Sequence, residues 1–208
     1  MKVLITGGQG DIAKATVKKI EARGWEVLAP SRQEMDVSSI ESVSQYLAGK
    51  NDIDVLINNA GFMVVQPIDK AAVENDVRTI DVILRGTFIV TGEFYKENPD
   101  ATVVNIGSVA GTRAFRKWSS YCAAKSGVIL ATKCWAKEGK KAVCVSPSST
   151  ATKMRTPIFP DEDQSTILQP ADLADVILKA IDGDFKWGSN IEVDVDNVEE
   201  VKKIKDEF

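Results

Sequence analysis

Short apolar runs bounded by turn residues alternate along this chain with longer stretches in which apolar residues recur at helical spacing. The alternation marks repeated βαβ units, because parallel strands need a crossover, usually a helix, and are buried on both faces. The predicted fold is therefore α/β: a doubly wound parallel sheet with helices on both faces, in three αβα layers. Strands are expected at Lys2 to Thr6, Trp25 to Pro30, Ile53 to Ile57, Ala101 to Ile106, Ala142 to Ser146 and Asn190 to Val195. Ile12, Thr16, Val17 and Ile20 mark a first helix stopped by Gly24. Further helices are expected at about Ser39 to Leu47, Asp69 to Lys96, Ser119 to Glu138 and Pro170 to Ile181. Ser148 to Gln169 carries Pro157 and Pro160 and no clear period, so it reads as a loop that closes over a ligand. Asn197 and Glu200 have capping-box spacing for a short terminal helix in the stretch up to Phe208.

With 208 residues and 44% hydrophobic content, the expectation is one domain over 1–208, with a substrate-loop region at about 148–169. The net charge is −4 and no long run of like charge occurs, which argues against nucleic-acid or membrane partners. Glycine follows the first strand too soon for a signal peptide, so a cytoplasmic location is expected. The three cysteines, Cys122, Cys134 and Cys144, lack metal-clamp spacing and read as reduced core thiols. Histidine is absent, which removes Ser-His-Asp machinery and every His-based zinc site. No metal is expected, and proton chemistry falls to Tyr, Lys or carboxylates.

Thr6-Gly7-Gly8-Gln9-Gly10-Asp11-Ile12 sits where the first strand hands over to the first helix. Glycines there let the backbone approach a pyrophosphate resting on the helix N-terminus, which makes the sheet Rossmann-type. Asp11 and Ala13 stand where small residues ordinarily lie closest to the cofactor, and Asp11 is assigned to capping the helix.

Three further motifs follow in order: Asn58-Asn59-Ala60-Gly61 after a central strand, Ser108 after the next strand, and Tyr121-Cys122-Ala123-Ala124-Lys125 on a helix. With the glycine turn they resemble the short-chain dehydrogenase/reductase family in its compact branch, from the first strand to about Met154 and more loosely beyond. The resemblance implies an oxidoreductase that interconverts a carbonyl and an alcohol. Tyr121 would act as acid and base, Ser108 would bond the reacting oxygen, and Lys125 would favour the phenolate and hold the nicotinamide ribose. Thr6, Gly7, Gly8, Gly10, Asp11 and Ile12 would meet the dinucleotide, with Asp36 and Val37 at adenine and Asn59, Ala60 and Gly61 on the adenosine side. Asn58 is as well placed for a structural role. Pro147, Ser148 and Thr152 would lie beside the nicotinamide.

The second strand ends in Ser31-Arg32 without an acid, so NADP(H) is expected over NAD(H), with Arg32 pairing with the 2′-phosphate and Ser31 as a small donor. The stretch from Arg32 to Asp36 is short, as if a helix and much of a strand had been trimmed. Ile83 and Ser148 replace the family's Asn and Gly, and an Ile side chain offers no hydrogen bond to bend the long helix. These departures and Asp11 leave a non-catalytic NADP(H)-binding sensor as the alternative. An extended-branch sugar-nucleotide enzyme would need a larger C-terminal region. The resemblance also implies a homodimer or homotetramer through the long helices, and a small-molecule carbonyl or alcohol as partner.

Overall fold

The structure, a computed structural model, describes residues 1–205. Six strands, β1 (Lys2–Ile5), β2 (Glu26–Leu28), β3 (Val55–Asn58), β4 (Thr102–Ile106), β5 (Ala142–Pro147) and β6 (Asn190–Val193), form one sheet in the order β2-β1-β3-β4-β5-β6, and every pairing is parallel. The helices are α1 (Asp11–Ala22), α2 (Ile40–Leu47), α3 (Val73–Ile80), α4 (Gly86–Glu97), α5 (Ser119–Lys137), α6 (Pro170–Asp182) and α7 (Val198–Val201).

Alternation along each strand assigns the layers. Val3 and Ile5, Val55 and Ile57, Val104 and Ile106, and Val143 and Val145 face a core with Ile20 of α1 and Leu173, Val176 and Ile177 of α6. Leu4, Leu56, Val103 and Ala142 point the other way, against Val43 and Leu47 of α2 and Val90 and Phe94 of α4. Both faces are thus covered, which is why these strands read as continuous apolar runs. β2 is a three-residue edge, and the chain after it turns directly through Ser31 to Asp36 into α2, consistent with the trimming noted above. Ser39 caps α2 by accepting the Ser42 amide.

Several expectations are corrected. The stretch expected as helix from Asp69 begins with a single 3-10 turn at Ile68–Lys70 and becomes α-helical only at Val73. Between α3 and α4, Asp81–Arg85 forms a π turn, so the helix widens without an asparagine. Gly86 packs where a Cβ would come within 3.0 Å of Val37 Cγ2, and the Thr87 hydroxyl donates to the Ile83 carbonyl at 2.6 Å. The Asn197 capping box does not form: its Oδ1 accepts from the Asp194 amide at 2.9 Å and its Nδ2 donates to the Glu192 carbonyl, tying the chain back to β6. α7 ends at Val201, and the part of that stretch at 206–208 lies outside the described residues. The cysteines are free, but only Cys144 is buried; Cys134 is exposed and Cys122 partly so. Among the described residues no helix is long and apolar enough to cross a membrane.

Candidate active site

The strands' C-terminal ends open onto a cleft of about 400 Å³. Its floor is built by the first turn. Thr6 is buried beneath it, its hydroxyl oxygen accepting the amides of Asn59 at 3.0 Å and Ala60 at 2.9 Å, while Asn59 Nδ2 donates to the Thr6 carbonyl. Gly7 has φ of 66°, and a Cβ there would lie 2.9 Å from Ala60 Cα, so both backbone shape and space demand glycine. A Cβ on Gly8 would come within 2.3 Å of the Ala29 carbonyl oxygen; this residue packs on β2's end instead of facing the cleft.

Gly7, Gly10, Asp11 and Ile12 line the cleft at one end, with Ser31, Arg32, Asp36 and Val37 beyond β2 and Asn59, Ala60 and Gly61 beyond β3. Tyr121, Lys125, Pro147 and Thr152 line its other side. Ser108 and Ser148 instead face a second cavity of about 360 Å³, whose wall shares Ile12, Tyr121, Pro147, Thr152 and Met154 with the first. Asn58 is buried away from both. It donates to Thr91 Oγ1 and Asn105 Oδ1 at 2.9 Å each, and Asn105 donates to Thr132 Oγ1 at 2.8 Å, which joins β3, β4, α4 and α5.

Asp11 does not cap α1. Gly10 occupies that position with no side-chain bond, and Asp11 Oδ2 accepts the Lys153 amide at 2.7 Å. The carboxylate thereby ties the segment after β5 to the glycine turn, and the first amides of α1 are left without a side-chain cap, facing the cleft. That uncapped N-terminus fits a diphosphate.

Arg32 is exposed and ion-paired with Asp36 at 3.2 Å, and Glu34 accepts the Ser31 amide at 2.7 Å. Any anion at this corner would have to share Arg32 with Asp36. Sequence reasoning missed Phe62 and Arg78 in the cleft, where the guanidinium lies 4.2 Å from the ring centroid; the pair joins a loop to α3 and leaves no local pattern. Gln9 and Lys153 line it as well.

At the centre, Lys125 is buried, with Nζ donating to the Ile106 carbonyl at 2.6 Å and lying 5.8 Å from the Tyr121 ring centroid. Burial pulls its ammonium down to about 8. Burial also pushes the Tyr121 phenol up to about 12, with the Ser108 hydroxyl and Arg155 opposing that rise. The sequence expectation that Lys125 lowers the pKa of Tyr121 runs against this direction, because desolvation outweighs the neighbouring groups.

The fold and cleft define a dinucleotide-binding α/β protein with a Ser, a Tyr and a Lys where two cavities meet. The chain belongs to the short-chain dehydrogenase/reductase family: the family model described as short chain dehydrogenase matches residues 33–163. The acetoacetyl-CoA reductase of Acinetobacter sp. is 26% identical, over 84% of this chain and 88% of that protein. Among solved structures, a small-chain dehydrogenase in complex with NADPH is 20% identical with a TM-score of 0.84, covering 93% of this chain and 96% of that one. A 4-hydroxyisoleucine dehydrogenase complexed with NADH is 26% identical with a TM-score of 0.80, covering 92% and 96%. The protein is thus an oxidoreductase of the CH–OH/C=O class that uses a nicotinamide dinucleotide.

Proposed function

We propose that the protein reduces a small-molecule carbonyl to an alcohol with NADPH, with Tyr121 as the proton donor. The observation that carries this reading is that Tyr121 lines both cavities, so one phenol reaches the dinucleotide cleft and the neighbouring chamber together. The nicotinamide supplies the hydride when bound. Tyr121, held up to about 12, stays a neutral phenol at neutral pH, the state that gives a proton to a carbonyl oxygen. Ser108 adds a hydroxyl to the same oxygen as charge develops there. Lys125 sits against the cleft to hold the ribose.

The preference for NADP(H) rests on Arg32, which lines the cleft beyond β2 with Asp36 as its ion-pair partner. One structural neighbour is an NADPH complex and another an NADH complex, so the neighbours do not choose between the two cofactors. The reading includes a single functional domain over 1–208, a cytoplasmic location, and a homodimer or homotetramer through the long helices, where Val73, Val77, Phe88 and Leu130 are exposed. The test is a carbonyl and alcohol screen with both cofactors, run beside Tyr121→Phe and Arg32→Ala. Tyr121→Phe should lose about 10²- to 10⁴-fold in turnover while still binding NADPH, and near-normal turnover overturns the role of Tyr121. Arg32→Ala should weaken NADPH more than NADH, and equal losses overturn the cofactor preference.

A further inference from the structure

The second cavity is walled unlike the cleft it adjoins. Trp118 lines this cavity, its ring 5.2 Å from Phe115, 6.2 Å from Phe159 and edge-on to Tyr121 at 5.8 Å. Met63 and Met154 complete the apolar lining. Among the described residues, Lys117 is the only non-glycine with a left-handed backbone, at φ of 72°, and its carbonyl accepts the Gln66 amide at 3.1 Å. A lysine held in that conformation by a bond from another loop is strain kept in place by its surroundings, immediately before Trp118 in the chain.

Charge in this chamber is already spent. Arg155 is the only ionic side chain lining it; Glu162 takes the guanidinium with two bonds at 2.5 and 2.6 Å, and the Phe159 ring lies 4.2 Å beneath it. A substrate carboxylate or phosphate would have to compete with Glu162 for a half-buried partner. The rest of the polar lining is uncharged, with Ser108, Ser148, Ser149, Thr150 and Thr152 offering hydroxyls.

We infer that the second cavity takes the flat body of an uncharged aryl ketone or aldehyde against Trp118, with its carbonyl oxygen toward the Tyr121 and Ser108 hydroxyls. This deepens the proposed function and rests on it for the reaction. The carbonyl carbon gains a hydride from the dihydronicotinamide, which is oxidised, and the oxygen gains a proton from Tyr121, which solvent restores. At about 360 Å³ the chamber has room for one or two rings, since a dry cavity of about 150 Å³ holds a benzene.

The experiment compares kcat/KM of the NADPH-bound enzyme on four probes: aryl ketones and aldehydes, a 3-oxoacyl-CoA thioester, a free ketose and a 2-oxo acid. Wild type, Trp118→Ala and Trp118→Phe are run together with a small aliphatic ketone as reference. Aryl carbonyls should lead, and Trp118→Ala should cost them up to about 10-fold, chiefly in KM. Trp118→Phe should restore most of that loss, and the aliphatic ketone should lose less than the aryl carbonyls in both variants. Faster turnover of the thioester, ketose or oxo acid, or an equal loss on every probe, overturns the inference and leaves the Tyr121 reading intact. Trp118-dependent fluorescence quenching by aryl carbonyls without any turnover supports the cavity assignment and refutes the catalytic one; neither binding nor turnover of aryl carbonyls refutes the assignment. Thermal melts establish that each variant is folded.

Discussion

Replacing Lys125 with methionine isolates the cost of keeping an ammonium inside the sheet. In the apo-protein, burial draws this group down to about 8 from its ordinary 10.5. Between those values the unfolded chain binds a proton that the folded one does not, so its contribution makes stability rise with pH. The full penalty below pH 8 is about 3 kcal/mol, and about 2 kcal/mol of it is recovered between pH 7 and 9.5. Cys144, pushed up to about 11, and Tyr121, pushed up to about 12, act oppositely: their stabilisation holds below their unfolded values and is lost as pH climbs past them. Both remain in Lys125→Met, so the informative quantity is the difference between the two proteins. Methionine also forfeits the bond to the Ile106 carbonyl, a loss of about 1 kcal/mol that does not vary with pH. Urea denaturation of both apo-proteins from pH 7 to 9.5 should show wild type gaining about 2 kcal/mol on the variant, or about 4–8 °C in Tm. A difference that stays flat, or that shrinks toward alkaline pH, refutes the argument.

Asn105→Ala should destabilise the fold by about 2–3 kcal/mol in urea melts, because it leaves the Asn58 amide and the Thr132 hydroxyl short of a partner. Gly8→Ala forces the Ala29 carbonyl aside and should cost at least about 2 kcal/mol while weakening dinucleotide binding in fluorescence titration. Asp11→Asn keeps an oxygen for the Lys153 amide but removes a negative charge beside the uncapped helix end; it should tighten NADPH binding about 3- to 10-fold at low salt, with the gain fading as salt is raised.

The strands and their order along the chain were legible because a sheet covered on both faces imposes apolar runs, and the glycine turn was legible because its geometry admits few other residues. Local signals failed where a side chain had a better partner far along the chain. Asp11 has the chemistry of a cap but reaches Lys153, and Asn197 with Glu200 has capping-box spacing but serves Asp194 and Glu192. Arg32 reads as a free cation, yet Asp36, four residues on in the same connecting segment, pairs with it. The Tyr121 and Lys125 pair was found by spacing, whereas the direction of the phenol's shift depends on desolvation, which spacing does not encode. Arg78 on Phe62 and Arg155 on Glu162 join segments with no shared period and were visible only in three dimensions.

The π turn at Asp81–Arg85 carries one residue more than an α-helical turn would. Each residue advances an α-helix by about 100°, and the widened turn takes up that extra advance, so excising one residue here would leave an unbroken α-rod from Val73 to Glu97 whose two halves keep their present facing. Arg78 would stay on Phe62 and Thr79 would stay buried. The chain's tolerance for that single deletion therefore measures what the bulge itself, apart from the facing of the helix, contributes to the cleft's rim.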